Sequence, residues 1–207
     1  ALEKELRATK AQLQAATDAL DLTNTIVEAT QASGTCRPFA VIGGSMCATV
    51  PGACQACDMI FEQLIPTTAW GTKYYTAPVH GVNTSTYRIM AEHDGTTVTI
   101  NGGAPVTLNA GQRHEVNGTT TPVCIQANQP VSVAQLMEGY SCAGNGDPSL
   151  WLVSPAERMS SHVAWQTSTS SLITQHSVSV VVPAAAVGQL TLDGMVVPAA
   201  QFQSFVG

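Results

Sequence analysis

Apolar and polar residues alternate in short runs along most of the chain after residue 20, which is the period expected of β-strands with one buried face. Turn-forming Gly, Asn, Asp and Pro separate the runs. Asp94-Gly95 and Asn101-Gly102 fit two-residue hairpin turns, which need positive φ. This dense series of short strands predicts β-sandwich architecture. The predicted strands span residues 25–29, 39–42, 73–79, 86–92, 96–100, 106–108, 114–116, 123–127, 131–137, 149–153, 162–166, 178–182, 189–192 and 195–197.

Two stretches have a different pattern and predict helix. Residues 1–20 are rich in Ala, Leu, Glu, Lys and Gln, with leucines at roughly heptad spacing, which predicts a helix over 2–17 or a short stalk. Residues 57–65 predict a second short helix, which Pro66 would end. The predicted fold class is therefore mainly β: tandem β-sandwich-like units with a short N-terminal helix and one short cysteine-flanked helix.

An internal repeat gives the expected domain organisation. Pro38 and Pro130 each begin a strand-like run, and they lie 92 residues apart, as do Asn101-Gly102 and Asp193-Gly194. Val178-Ser-Val-Val181 matches Tyr87-Arg-Ile-Met90 at nearly the same offset. We therefore expect a helical or stalk-like segment at 1–20, a tail strand of a preceding β-unit at 21–37, a first β-unit with the cysteine cluster at 38–129, and a truncated second β-unit at 130–207.

Charge and hydropathy exclude two classes of protein. Only 11% of residues are charged and the net charge is −6, so the basic footprint that nucleic-acid binding requires is missing. No apolar run approaches the roughly 20 residues that span a bilayer, so no membrane span is predicted. The polar surface must come mainly from Thr, Ser, Asn, Gln and Gly, which are common on secreted proteins.

The six cysteines favour disulfides and an oxidising, extracellular compartment because their number is even. Zinc is an alternative for Cys54-Gln-Ala-Cys57, but no second close pair accompanies it. A redox role for the same pair would need a βαβ setting, which the pattern does not predict. Six cysteines allow 15 pairings, and the sequence alone leaves the choice open. The cysteines are Cys36, Cys47, Cys54, Cys57, Cys124 and Cys142.

Other candidate chemistry is sparse. Asn83-Thr-Ser85 and Asn117-Gly-Thr119 are glycosylation acceptors in a secreted protein. The five histidines are scattered, and no Gly-x-Ser-x-Gly elbow is present. The Gly-rich loop from Gly139 to Asp147 lacks the carboxylates that calcium needs. We therefore predict no catalytic residues, no metal and no cofactor. The three tryptophans, predicted as core anchors with a glycan platform as the alternative, are Trp70, Trp151 and Trp165.

A set of short motifs covers about residues 20–207. The motifs are Pro38-Phe-Ala-Val-Ile-Gly43, Cys47…Val50-Pro51…Cys54-x-x-Cys57-Asp58, Glu62-Gln-Leu-Ile-Pro66, Trp70-Gly-Thr72, Tyr87-Arg-Ile-Met-Ala91, Asp94-Gly-Thr-Thr-Val98, Asn101-Gly-Gly103, Gly146-Asp-Pro-Ser149 and Leu192-Asp-Gly194 followed by Val197-Pro198. Together they resemble the N-terminal domain of the IgG-Fc-binding protein family. The combination of cysteine spacing, Glu-Gln-Leu and Trp-Gly is the specific part of the resemblance.

The resemblance implies a secreted or cell-surface β-rich module of long multidomain chains, non-enzymatic and associated with adhesion and with matrix or mucus organisation. It does not identify an Fc-contacting surface. Cys36 and Cys124 are additional to the family's usual four cysteines, and we expect them to pair. The stretch from Cys47 to Gly71 is interpreted as a disulfide-pinned crossover, clamped to the following unit through Cys142.

We therefore expect a structural or adhesive extracellular module that assembles into filament or matrix. Its expected partners are other copies or the rest of a parent chain, together with extracellular glycoproteins. A glycan- or glycoprotein-binding module is the first alternative, and a secreted hydrolase is the second.

Overall fold

The computed structural model describes residues 26–28 and 39–205. The predicted helix over 2–17 and Cys36 lie outside the described residues. The expected tail strand at 21–37 lies outside them too, apart from 26–28, which are exposed and have no regular structure.

Contacts divide the chain into two compact units, Ala1–Phe39 and Ala40–Gly207, and the regular structure of the described residues lies in the second. Its strands are β1 (Ile42–Ala48), β2 (Asp58–Gln63), β3 (Gly71–Thr76), β4 (Ser85–Ala91), β5 (Thr96–Ile100), β6 (Val106–Leu108), β7 (Arg113–Thr119), β8 (Val123–Met137), β9 (Ser149–Leu152), β10 (Thr191–Leu192) and β11 (Met195–Val196). A single helical turn, α1, spans Tyr140–Ala143, and 3-10 turns span Thr67–Ala69, Ala156–Arg158, Ala184–Ala186 and Ala199–Gln201. The prediction of a mainly β fold is confirmed.

The strand β8 organises the sheet. It is 15 residues long and pairs antiparallel with four other strands. Its first part, Val123–Ala127, lies between β3 and β5, and its second part, Val131–Met137, lies between β4 and β9. The residues between the two parts, 128–130, pair with no strand of the described residues. Pro130, which has no N–H to donate, is tolerated at this corner for that reason.

One hydrophobic core is shared by both parts of β8. The hydroxyl of Tyr74 lies at the corner, where it accepts the Gly71 N–H at 2.9 Å and donates to the carbonyl of Val131. The core consists of side chains from β3, β4, β5, β6 and both parts of β8, which pack together. The buried members are Tyr74, Tyr87, Ile89, Ala91, Val98, Leu108, Val123, Ile125, Val131 and Val133.

The domain boundary expected between residues 129 and 130 falls inside β8. Pro130 does precede a strand run, but this run continues the strand that comes before the proline. Pro130 lies at the corner of β8, where the backbone pairs with no other strand, so the proline does not interrupt β8. Residues before and after position 130 consequently share one sheet and one core, instead of forming two separate sandwiches.

The helix expected over 57–65 is wrong, because Asp58–Gln63 forms β2 and pairs with β1. The Cys47–Cys57 disulfide holds the start of β2 beside the end of β1, which favours a hairpin. The strand alternates its apolar residues between two faces. Ile60, like Leu150 and Leu152 of β9, packs against the buried cluster of Val50, Ala134 and Leu136, while its two apolar neighbours are exposed.

The strands expected at 162–166 and 178–182 have no ladder partner in the described part of the chain. Near the end, only the two-residue strands β10 and β11 form. The Asp193-Gly194 turn between them has φ values of 48° and 82°, and Asn101-Gly102, which ends β5, has 49° and 68°. Asp94-Gly95 is not a hairpin turn, because it joins β4 to β5 and these strands lie on different parts of β8.

Candidate interaction surface

Two disulfides hold the loop between β1 and β2. Cys47 bonds to Cys57 and closes the base of the loop. Cys54 bonds to Cys142 in α1, so that it joins two positions 88 residues apart. This is the link that the crossover interpretation expected between the cysteine cluster and Cys142.

Backbone contacts brace the same loop against α1. The N–H of Gln55 donates to the hydroxyl of Ser141 at 2.7 Å, and the N–H of Gly139 donates to the carbonyl of Val50 at 2.9 Å. A Cβ atom at Gly139 would lie 2.4 Å from the carbonyl oxygen of Gln55, so only glycine fits. Covalent and hydrogen bonds therefore make the loop and α1 one rigid platform.

Cys124 is a free cysteine and is buried on β8, where it faces Tyr75 across the ladder with β3. Cys36, the partner expected for Cys124, lies outside the described residues. At 2% exposure, the thiol lies beneath packed neighbours, which limits its access to a second cysteine.

Glu138 is a buried carboxylate directly after β8, and it was not predicted. Its Oε1 accepts hydrogen bonds from the Thr86 hydroxyl at 2.8 Å and from the Gly118 N–H at 2.7 Å. Its Oε2 accepts from the Thr84 hydroxyl at 2.6 Å. These bonds join the end of β8 to β4, the loop before it and β7. No sequence pattern marks an isolated glutamate of this kind.

Cys54, Glu138 and Cys142 place their potential ligand atoms within 4.8 Å of one another. The two sulfurs are bonded to each other, so neither is the thiolate that a metal such as zinc requires. Glu138 is already bonded to three protein donors. The donor set therefore fits a structural disulfide beside a satisfied carboxylate.

The residues considered for catalysis and glycan binding are dispersed. Among the described residues, no histidine side chain is hydrogen-bonded to a serine or threonine hydroxyl, and His93 lies 3.7 Å from the carboxylate of Glu92. Trp70 and Trp151 are partly buried, as expected of anchors, whereas Trp165 is 52% exposed. Of the three rings, that of Trp165 is the most accessible to a ligand.

The two sequons lie on adjacent strands. Ser85 of the first sequon pairs with Thr119 of the second, where β4 meets β7. Asn83 and Asn117 are exposed, and the Oδ1 of Asn117 lies 2.9 Å from the Thr86 hydroxyl, whose hydrogen is donated to Glu138. A glycan on each asparagine would project from the same end of the sheet.

The hairpin β1–β2 exposes several apolar side chains on its outer face. Its opposite face packs onto β9 and the second part of β8 through Ile60 and Val50. Side chains on the outer face are 47–73% exposed, and Gly44 approaches β2 so closely that a Cβ would lie 1.8 Å from the Ile60 carbonyl oxygen. We call this surface the hairpin face; it consists of Met46, Met59 and Phe61.

A short segment after β9 is fastened to β3. Glu157 accepts hydrogen bonds from the N–H of Thr72 at 2.9 Å and from its hydroxyl at 2.7 Å. Burial raises the pKa of Glu157, but the bonds from Thr72 outweigh it, so this pKa lies below its ordinary value. The guanidinium of Arg158 donates to the Thr68 carbonyl at 3.1 Å. These contacts place the start of the following segment beside β3.

Residues 160–182, which we call the tail segment, continue from there without sheet pairing. Their exposed apolar residues include Trp165 and Leu172. At the end of the segment, Val181 lines an open cleft of about 290 Å³ together with Tyr75 and Phe205. The described residues contain no helix with the length and hydrophobicity to cross a bilayer.

These features define a class of protein: a disulfide-braced, mainly β module that exposes an apolar hairpin face. The family model described as IgGFc binding protein matches residues 7–207, so the chain belongs to the IgGFc-binding protein family. The resemblance inferred from the motifs is thereby confirmed. The family is one of extracellular, non-enzymatic binding modules. Comparisons with curated proteins and with solved structures find no match.

Proposed function

We propose that this chain is a non-enzymatic structural and adhesive module of a longer secreted or cell-surface protein, and that it assembles into filament or matrix. The observation that carries the proposal is the hairpin face, an apolar surface held on a platform with two disulfides. An exposed contiguous apolar surface is typical of an interaction site. Rigid covalent support lowers the entropic cost of binding through it.

The test is adhesion of the purified chain to a sensor coated with mucin-type extracellular glycoprotein. A Met59→Ser/Phe61→Ser variant removes the apolar character of the hairpin face and should weaken binding at least tenfold. Leu172→Ser is the matched control, because Leu172 is 91% exposed but lies on the tail segment. Equal binding by the double variant and the wild type would disprove the proposal.

A second candidate is a glycan-binding module, which the exposed ring of Trp165 favours. Aromatic rings stack on the apolar faces of sugars, and a largely exposed tryptophan can serve in this way. A glycan array should then show hits that Trp165→Ala removes and that Trp151→Phe retains. An array without hits would dismiss this function.

We also propose N-glycosylation at Asn83 and Asn117, whose exposure supports it. Expression in a secreting eukaryotic cell should add a glycan at each site. Glycosidase treatment followed by intact mass measurement should detect two losses in the wild type and one in each of Asn83→Gln and Asn117→Gln. An unmodified secreted chain would contradict the assignment.

A further inference from the structure

The hairpin formed by β8 and β9 repeats the hairpin formed by β1 and β2. In the first hairpin the Leu64 N–H donates to the Val41 carbonyl at 2.9 Å; in the second the Val153 N–H donates to the Val133 carbonyl at 2.8 Å. Val41 and Val133 are 92 residues apart, which is the offset of the internal repeat. The pairs Ile42–Gln63, Gly43–Glu62, Gly44–Phe61 and Ser45–Ile60 correspond to Ala134–Leu152, Gln135–Trp151, Leu136–Leu150 and Met137–Ser149.

The correspondence continues beyond the hairpins. Each hairpin is followed by a proline that precedes a 3-10 turn: Pro66 before Thr67–Ala69, and Pro155 before Ala156–Arg158. Later in each repeat, the first residue of a hairpin turn has a positive φ, which is unusual for a residue with a side chain. The values are 49° at Asn101 and 48° at Asp193. The repeat is therefore a repeat of structure as well as of sequence.

The two hairpins differ in what covers their free edge. The second part of β8 is paired with β4 on the edge away from β9, with Ala134 opposite Arg88. The corresponding edge of β1 has no partner strand among the described residues, where β1 pairs with β2 alone. Because the carbonyl of Val41 accepts the Leu64 N–H inside the hairpin, strand alternation turns the N–H and carbonyl groups of Ala40, Ile42 and Gly44 toward the opposite edge.

The segment that corresponds to β4 in the second repeat also pairs with no strand of the described residues. By the repeat, Tyr87–Met90 of β4 corresponds to Val178–Val181 in the tail segment. No backbone hydrogen bond joins these four residues to another strand in the described part of the chain. Val178 and Val180 are 51% and 44% exposed, and the Ser179 hydroxyl makes one bond, to the Pro78 carbonyl at 3.1 Å.

β4 and the second part of β8 form a complete strand pair. Their counterparts in the repeat, residues 178–181 and β1, are not paired with each other. We infer that residues 178–182 of one copy add as an antiparallel strand to the free edge of β1 in a second copy. The register is that of β4 on β8, which places Val178 opposite Gly43, Ser179 opposite Ile42 and Val180 opposite Val41. The inference rests on the proposed structural function and names the contact that assembles the copies.

This contact is head-to-tail, because donor and acceptor are different parts of the chain. Heterologous contacts that do not close into a ring produce filaments. Addition of a strand to an open edge relies on main-chain hydrogen bonds, so it is sensitive to proline at positions whose N–H faces the partner. Ser179 and Ile42 are such positions, since they correspond to Arg88 and Ala134.

The test uses four variants of the full chain in analytical ultracentrifugation, over a wide range of concentrations. Ser179→Pro blocks the donor strand, and Ser179→Ala is its control, since it loses the bond to Pro78 but keeps the N–H. Ile42→Pro blocks the acceptor edge, and Ile42→Ala is its control. The wild type and both alanine variants should form a growing series of oligomers, and each proline variant should associate at least tenfold more weakly.

Mixing the two proline variants gives the decisive result. Ile42→Pro keeps an intact donor strand and Ser179→Pro keeps an intact edge, so the mixture should form a one-to-one dimer that does not grow. A monomeric wild type, proline variants that assemble normally, or a mixture that remains monomeric would each overturn the inference. Intact disulfides and an unchanged melting temperature show that each variant is folded.

The same variants separate this inference from the proposed function. Ser179→Pro leaves the hairpin face untouched, so it should still adhere to the glycoprotein surface while it fails to assemble. Assembly of Met59→Ser/Phe61→Ser in solution is measured in the same way. If this variant assembles normally, the effect of its substitutions on adhesion tests the proposed function alone.

Discussion

At the scale of single residues, the corner of β8 depends on one phenol. The hydroxyl of Tyr74 accepts the Gly71 N–H and donates to the Val131 carbonyl, and it is fully buried. Tyr74→Phe leaves both backbone groups unsatisfied, which costs about 1–3 kcal/mol of unfolding free energy. Urea denaturation should show this loss. Tyr75→Phe, at the neighbouring and more accessible position, should cost about 0.5 kcal/mol or less.

The same phenol makes the fold sensitive to alkali. Burial raises the pKa of Tyr74 from 10.0 to about 12, so the folded state holds the proton more tightly than the unfolded state does. The resulting stability is fully present below pH 10 and is lost as the pH rises from 10 toward 12. Unfolding free energy should fall over that range, and it should fall less in Tyr74→Phe. Identical slopes in the two proteins would contradict this linkage.

Glu138 is the residue that joins the disulfide platform to the sheet. Glu138→Ala leaves the Thr84 hydroxyl and the Gly118 N–H without an acceptor, while the Thr86 hydroxyl turns to Asn117 Oδ1, so it should destabilise by roughly 3 kcal/mol or more. Glu138→Gln keeps one acceptor oxygen but loses charge-assisted bonds, and about 1–2 kcal/mol is expected. Thermal denaturation should rank the proteins in that order. Glu115→Gln, in the more exposed pair with Arg88, should cost less than about 1 kcal/mol.

At the scale of elements, alternation was informative where strands pair within the domain. The predicted strands at 96–100 and 106–108 match β5 and β6, because one face of each is buried and turn residues end them. β2 was missed because three consecutive apolar residues have no period, and hairpin pairing next to a disulfide decided its structure. The sequence also did not predict that residues 123–127 and 131–137 form one strand through Pro130. Only the pairing of β8 with its neighbours shows that no N–H is required at position 130.

The candidate site was harder to predict than the fold. The cysteines were identifiable from the sequence, but their pairing depends on α1 meeting the loop after β1, which is a long-range contact. Glu138 has no local signal, because its three donors come from two distant segments, residues 84–86 and residue 118. The hairpin face was hidden by the wrong helix, which would have placed Met59 and Phe61 on different surfaces.

The two disulfides should differ in their contribution to stability. In the loop-closure model, the Cys54–Cys142 bond over 88 residues contributes about 4.6 kcal/mol, and the Cys47–Cys57 bond over 10 residues contributes about 2.7 kcal/mol. Paired replacement by serine should therefore destabilise more at 54 and 142 than at 47 and 57. Guanidinium denaturation of the two double variants measures the difference, and the reverse order would contradict the prediction.

At the scale of the whole molecule, β8 makes residues on both sides of position 130 parts of one cooperative structure. Both parts of the strand line the same core, so neither can lose its packing without exposing the other. The tail segment is different, since it has almost no backbone hydrogen bonds among the described residues. Stability should therefore be uniform within the sheet and low in the tail.

Native-state hydrogen exchange measures this contrast. Amides of Val123–Ala127 and Val131–Met137 should exchange at similar, slow rates that approach the rate of global unfolding, because each part is paired on both edges. Amides of 174–182 should exchange within seconds in the monomer, at low protein concentration. At high concentration the amides of Ser179 and Val181 should become protected while those of Leu172 do not, since only the former face the edge of a second copy. Two independent exchange rates on either side of Pro130 would contradict the single sheet, and an unprotected tail in the oligomer would contradict the strand pairing.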